Sequence, residues 1–295
     1  MHTISYLFGQ DAAIFWPPVL VGVIVAILCS LLSPLIVLKR LAFIGQGVSH
    51  AAFAGVGLAM ILGLGATASS SSGLGDPRVS AIVALICIVS ALGIAWLSQH
   101  REHADTAIGI VLVSAMAIGF VLMGAAARLH PGKGSQIAVE SVLFGSIMGA
   151  TWRDTLIAAI VMLSSLVWLW WTHRSVLFWA FDQTGAQACG VKLPLAQTTL
   201  LVLISLAIVL TMRLAGVILA TALLVLPGAT ALQLGTHFRH VMFLSLGAGL
   251  AGVVGGLILS FELNWPAGPS IVLASVALYA LARMARSRML TPVRV

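Results

Sequence analysis

The chain is expected to fold as an all-α integral membrane protein, a polytopic helical bundle with about nine transmembrane helices, and three features of the sequence lead there. Of its 295 residues 60% are hydrophobic and 8% charged, and the mean hydropathy is +1.12. A soluble domain needs a charged surface, which this composition does not supply. Uncharged runs recur along the chain, most of them close to the ~20 residues that a helix needs to cross a bilayer. The short alternation of apolar and polar residues that marks barrel strands does not recur.

The first run, residues 17–38, serves as the insertion signal. The amino terminus has no basic region and no small-residue cleavage site, so residues 1–38 are expected to stay in the mature protein. Next comes KRLAFIGQGVSHAAFAGVGLA at residues 39–59, where Gln46, Ser49 and His50 place polar groups at the start of a segment that otherwise belongs in lipid. An ionisable side chain at membrane depth is costly and marks a functional candidate. Gln46 and His50 stand at i, i+4 on one helical face, where an amide oxygen and an imidazole nitrogen converge on one cation or, alternatively, lock packing through a hydrogen bond. Gly47, Ala51, Gly55 and Ala59 form an adjacent small-residue ridge for close helix approach.

Residues 65–77, rich in Ser and Gly, have linker composition and read as an external loop. After the run at 79–98, HREHAD at 100–105 concentrates charge at an internal membrane boundary, and its His100 and His103 read as hydrated loop residues rather than metal ligands. The run at 106–127 spans the membrane. Residues 136–152 are harder to place, because the uncharged part at 141–152 is too short to cross and suggests a short or re-entrant helix. Glu140 and Asp154 flank it, with helix capping favoured over attraction of a cation.

After the run at 155–172, residues 175–194 break the hydrophobic pattern and allow a short helix outside the membrane, with Asp182 and Thr184 at its start and Gly190 at its stop. Its small residues Ala186, Ala188 and Gly190 are expected to be exposed and to fit a groove on a partner subunit, the plain alternative being an interfacial connector. Runs at 193–212 and 214–236 are separated only by Arg213, which requires a tight external turn or a broken helix. Runs at 241–261 and 263–282 complete the set.

With nine alternating crossings, Lys39, Arg40, Arg101, Arg174, Lys192, Arg239, Arg283, Arg286, Arg288 and Arg294 fall on one side, and Arg78, Arg128, Lys133, Arg153 and Arg213 on the other. The richer side is expected to be cytoplasmic, with the amino terminus outside and the carboxy terminus inside. This distribution explains the formal charge of +7 without nucleic acid, for which no aromatic-lined basic surface exists. Cys29 and Cys87 lie in apolar runs and Cys189 in a loop, so no disulfide framework is implied.

Several segments in order resemble the permease subunits of bacterial ATP-binding-cassette importers for zinc, manganese and iron. They are residues 39–59, DTAIGIVLVSAMAIG at 105–119, LFGSI at 143–147, FDQTGAQACGV at 181–191, GVILATALLVLPGATALQL at 216–234 and LNWPAGPSIVL at 263–273. The resemblance implies a type II importer permease, akin to the vitamin B12 importers, with residues 1–295 as a single transmembrane domain in the bacterial cytoplasmic (inner) membrane. It further implies a homodimer on two ATPase subunits, an extracytoplasmic metal-binding protein that delivers the cargo, and no stably bound cofactor. Residues 178–191 would be the cytoplasmic coupling segment, with Asp182, Ala186 and Gly190 its ATPase-coupling residues. His50, Gln46 and Ser49 would contact the transported divalent metal. The family commonly has a carboxylate where this chain has neutral Gln46, which weakens attraction for a cation.

The chain is not expected to hydrolyse ATP. GKGS at 132–135 lacks the preceding glycine spacing of a phosphate loop and the terminal Ser or Thr after Lys. A self-sufficient secondary transporter would need intramembrane carboxylates, whereas the acids lie only near predicted helix ends. A permease for a metal chelate is the remaining alternative. A membrane hydrolase lacks any supporting motif.

Overall fold

In a computed structural model, residues 12–64, 77–99, 104–129 and 149–289 are described. They form α1 (Ala12–Leu38), α2 (Ile44–Ile61), α3 (Pro77–Gln99), α4 (Ala104–Leu129), α5 (Trp152–Phe181), the short α6 (Gln183–Ala188), the long α7 (Leu193–Leu234), α8 (Phe238–Leu263) and α9 (Ala267–Met289). Among the described residues nine helical segments are long and apolar enough to cross a bilayer, because α7 contributes two, Leu193–Met212 and Gly216–Leu234. Most of the expected loop at 65–77, His100, Arg101, His103, Lys133 with the GKGS sequence, Glu140, the LFGSI segment and Arg294 lie outside the described residues.

The direction of each helix follows from its contacts. Gly55 of α2 lies on Val83 of α3, and Gly47 near Ile94, so α3 runs antiparallel to α2. Gly47 also meets Ile108, while Gly57 meets Gly119 and Leu122, so α4 runs parallel to α2. A Cβ on Gly55 would stand 2.8 Å from the Val83 Cα, and Ala51 and Ala59 are fully buried. The small-residue ridge therefore works as expected, letting backbones rather than side chains meet.

The ambiguity at Arg213 resolves at Gly216, whose φ of 83° and ψ of 169° break α7. That backbone region is open essentially to glycine alone. On its two sides, Thr211 Oγ1 lies 3.6 Å from Cys29 Sγ, and the Gly228 N–H donates to Ser33 Oγ at 2.8 Å. A straight helix would separate residues 211 and 228 by about 25 Å, whereas their partners on α1 are about 6 Å apart along the axis. Both ends of α7 also lie at one end of the bundle. Phe181, just before α6 and the start of α7, packs edge-on against Phe238, just after its end. The two halves of α7 thus double back.

Helix directions alternate through all nine segments, so one end of the bundle collects Lys39, Lys192, Arg239, Arg283 and Arg286, and the other Arg78, Arg128 and Arg153. At the first end the Lys39 Nζ sits 4.3 Å above the Trp179 ring, Gln197 donates to Ser98 at 2.7 Å, and Arg286 donates to Gln233 at 3.1 Å. Partial burial lowers the Lys39 pKa, and the aromatic face offsets some of that desolvation. At the other end Asp154 closes a capping box with Thr151, each accepting from the other's backbone N–H. Capping, the expected role of Asp154, is the one observed.

Two prolines explain the polar contacts inside the bundle. Pro34 has no N–H to give the Ser30 carbonyl one turn earlier, and Ser245 Oγ of α8 donates to that carbonyl at 2.7 Å instead. Pro227 interrupts the second half of α7, where Ser33 supplies the neighbouring Gly228 N–H with an acceptor.

Candidate functional site

α2 is only 18 residues long and is buried on nearly every side by α3, α4 and α7. Its opening lies at its first turns, where Phe43 and Gln46 are exposed and His50 is half-buried. Gly45 at this end faces Thr221 and Leu224 of α7, which a Cβ there would meet at ordinary contact distance.

His50 is oriented by its own helix. Its Nδ1 lies 2.9 Å from the Gln46 carbonyl oxygen. A carbonyl only accepts, so Nδ1 carries the proton and donates, and the Nε2 lone pair is left for another partner. A metal-ligating imidazole is typically held this way, one nitrogen donating to a carbonyl while the other binds. The Phe53 ring meets the imidazole edge-on at 6.0 Å, and Phe53 stacks in turn on Phe120 of α4 at 6.2 Å. This aromatic support was not anticipated from the sequence, although the i, i+3 spacing of His50 and Phe53 was its visible trace.

Of the three residues expected to contact metal, the structure brings Gln46 and His50 to one open face and sends Ser49 elsewhere. Ser49 is fully buried, and its hydroxyl donates to the Gln46 carbonyl at 3.1 Å. It lies on the core side of α2, so the placement of Ser49 beside the other two does not hold. The alternative of a His50–Gln46 packing lock also changes form, because the bond goes to the Gln46 backbone and leaves the amide side chain exposed. No group of three or more His, Cys, Asp or Glu side chains comes together among the described residues. One imidazole and one amide are what this face offers a cation.

The second candidate region is α6. Asp182 caps it, accepting from the Gly185 N–H at 2.9 Å and from the Thr184 hydroxyl at 3.0 Å. These bonds to the ionised form hold its carboxyl below the usual carboxylate range. Gly190 has φ of 80° and its N–H reaches the Gln187 carbonyl, ending the helix as its sequence position suggested. Ala186, expected to be exposed, is instead fully buried against the bundle, since a six-residue helix must spend one side on its support. Ala188 and Gly190 are exposed, together with Gln183, Thr184 and Gln187. Beside them Ser98, Lys192 and Gln197, together with apolar Val191, Leu193 and Leu195, line a groove of mixed character of about 940 Å³.

A profile of the family described as the ABC 3 transport family matches residues 11–286. A Haemophilus influenzae protein named a probable iron transport system membrane protein is 29% identical over 288 residues, covering 96% of this chain and 95% of that one. A high-affinity zinc uptake system membrane protein of the same organism is 26% identical over 280 residues, 94% of this chain and 99% of the relative. Among solved structures, PsaBC from Streptococcus pneumoniae in complex with Fab superposes with a TM-score of 0.76 at 28% identity, over 95% of this chain and 93% of the matched chain.

Proposed function

The chain belongs to the ABC 3 transport family, and on that premise we propose that it is the membrane permease subunit of an ATP-driven importer of divalent transition-metal ions, zinc, manganese or iron. The observation that carries the reading is His50, turned so that Nε2 stays available at the open face of an otherwise buried helix. The cation passes this nitrogen with Gln46 one turn away. Gln46 brings no charge, so binding is weaker than at a carboxylate, which suits a conduit where the ion must leave as readily as it enters. Two side chains do not fill a coordination shell. Water, or the same face of a second copy in a homodimer, supplies the remaining ligands.

Energy reaches the permease from a separate ATPase subunit through α6, and an extracytoplasmic binding protein delivers the ion. The exposed face of Gln187, Ala188 and Gly190, rather than Ala186, enters the ATPase groove. Ala186 seats α6 on the permease, so that motion of the ATPase is passed to α5 and α7, which flank it. The basic end of the bundle faces the cytoplasm of the bacterial inner membrane, which places the amino terminus outside. Labelling of Lys192→Cys, but not Arg78→Cys, by an impermeant reagent on intact cells would reverse this orientation.

The test of the route measures uptake and thermal stability together. His50→Ala is expected to remove most uptake while the protein still assembles with its ATPase. Wild-type uptake by the folded variant would eliminate the metal-route reading, and joint loss of folding and uptake would assign His50 a structural role. Reconstitution without the ATPase separates this reading from a secondary transporter, which alone would retain uptake.

A further inference from the structure

Helices α8, α9 and the end of α7 enclose an apolar groove of about 470 Å³, lined by residues including Leu234, Phe243, Ala248, Leu278, Leu281 and Ala285. Its origin is a splay between α8 and α9. Near their connection the two helices pack closely, Gly256 against the Ile271 backbone and Gly252 against the Ser275 side chain. Towards their other ends they part, and a Cβ on Gly247 would meet nothing within 4 Å. Thr230 also lines the groove, but its hydroxyl donates to the Leu226 carbonyl at 2.7 Å, so it leaves the lining apolar in effect. Phe243 and Leu281 are 73% and 62% exposed, which puts the groove open on the lipid-facing side of the helices.

The rim has the opposite character. Arg286 stands one turn beyond Ala282 of the lining, held at the groove's end by its bond to Gln233, the residue before Leu234. One bond to a neutral amide uses one of five guanidinium N–H donors and none of its charge. Arg239 and Arg283 are exposed at this same end. At this end Asp182 brings one carboxylate, engaged in capping α6, and over residues 183–295 the one carboxylate side chain is Glu262, at the opposite end of α8. An apolar slot that ends under a cluster of positive charge, at a membrane boundary, fits an amphiphile with a hydrocarbon tail and an anionic head.

We propose that this groove binds an anionic phospholipid of the leaflet at the basic end of the bundle, one acyl chain lying between α8 and α9 and the phosphate meeting Arg286. A helix from a second copy fits less well. The lining from Leu278 to Ala285 runs about 10 Å, and a helix about 10 Å across would occupy on the order of 800 Å³ over that length. The site is independent of the transported ion, so it stands or falls apart from the transport reading.

Native mass spectrometry of the full chain, released from vesicles of equal phosphatidylglycerol and phosphatidylcholine, tests it. The wild type is expected to retain one phosphatidylglycerol in preference to phosphatidylcholine. Arg286→Ala should reduce that preference about fivefold, the effect of one basic residue near an anionic lipid, and Arg286→Lys should keep it. Gly247→Phe projects into vacant space and should expel the lipid whatever its headgroup, with a melting curve to establish that the variant is folded. Equal retention of the two lipids by the wild type, or wild-type retention by folded Gly247→Phe, overturns the proposal. So does quantitative disulfide dimerisation of Leu281→Cys in membranes, which would place a second copy in the groove.

Discussion

Gly119→Ala tests whether the contact between α2 and α4 is set by backbone proximity. An added Cβ would stand 2.8 Å from both the Ala54 nitrogen and the Phe53 carbonyl carbon, and 3.0 Å from the Phe53 Cβ. Backbone atoms cannot rotate aside, so the helices must separate, and overpacking of this kind costs about 1–3 kcal/mol. Gly124, on the same helix, is the internal control, because a Cβ there meets nothing within 4 Å. Gly124→Ala removes only backbone freedom and should stabilise by up to about 1 kcal/mol. The gain from lost backbone freedom is common to both variants, which are five residues apart on one helix, so they should differ by the overpacking cost alone, about 1–3 kcal/mol. Thermal unfolding of the purified proteins in the same detergent measures the gap. Separation at Gly119 also displaces Phe53, which holds the His50 ring on one side and stacks on Phe120 on the other, so uptake by Gly119→Ala should fall more than its stability alone requires. If Gly119→Ala melts at or above Gly124→Ala, close backbone approach is not what joins these helices.

Gly216→Ala forces a Cβ into a positive-φ conformation and should destabilise by about 1–3 kcal/mol, read from the melting curve; an unchanged melting temperature would mean that α7 does not turn at this residue. Ser33→Ala strips the Gly228 N–H of its acceptor in a buried setting, and a loss of about 0.5–2 kcal/mol is expected, with Ser33→Thr recovering part of it. Asp182 supports α6 as an ionised cap with its pKa lowered, so its contribution is full above the ordinary value of 3.8 and is lost as pH falls below that through the lowered folded-state value. Hydrogen exchange at Gly185 should show this opening in the wild type, whereas Asp182→Asn should keep the cap and lose the pH dependence. Ala188→Trp, on the exposed side of α6, should weaken ATPase assembly or uncouple hydrolysis, while unchanged metal-stimulated hydrolysis would remove α6 from the interface.

Composition and run length alone determined the membrane class and a count of about nine crossings, because each crossing must satisfy its own backbone and so writes its length into the sequence. The short helix at 183–188 was equally legible, since Asp182 and Gly190 are local signals read without a tertiary partner. Gln46 and His50 on one face followed from helical spacing. Tertiary structure decided which faces are covered. Periodicity sets Ser49 within a turn of Gln46 and Ala186 within a turn of Gly190 but does not say what covers either, and in both cases it is the protein interior. The reversal at Gly216 likewise rests on one backbone angle that no hydrophobic pattern encodes. The lipid-facing groove has the same origin, because the splay of α8 from α9 follows from where Gly252 and Gly256 let the helices touch, and a glycine in open space at Gly247 reads identically in sequence.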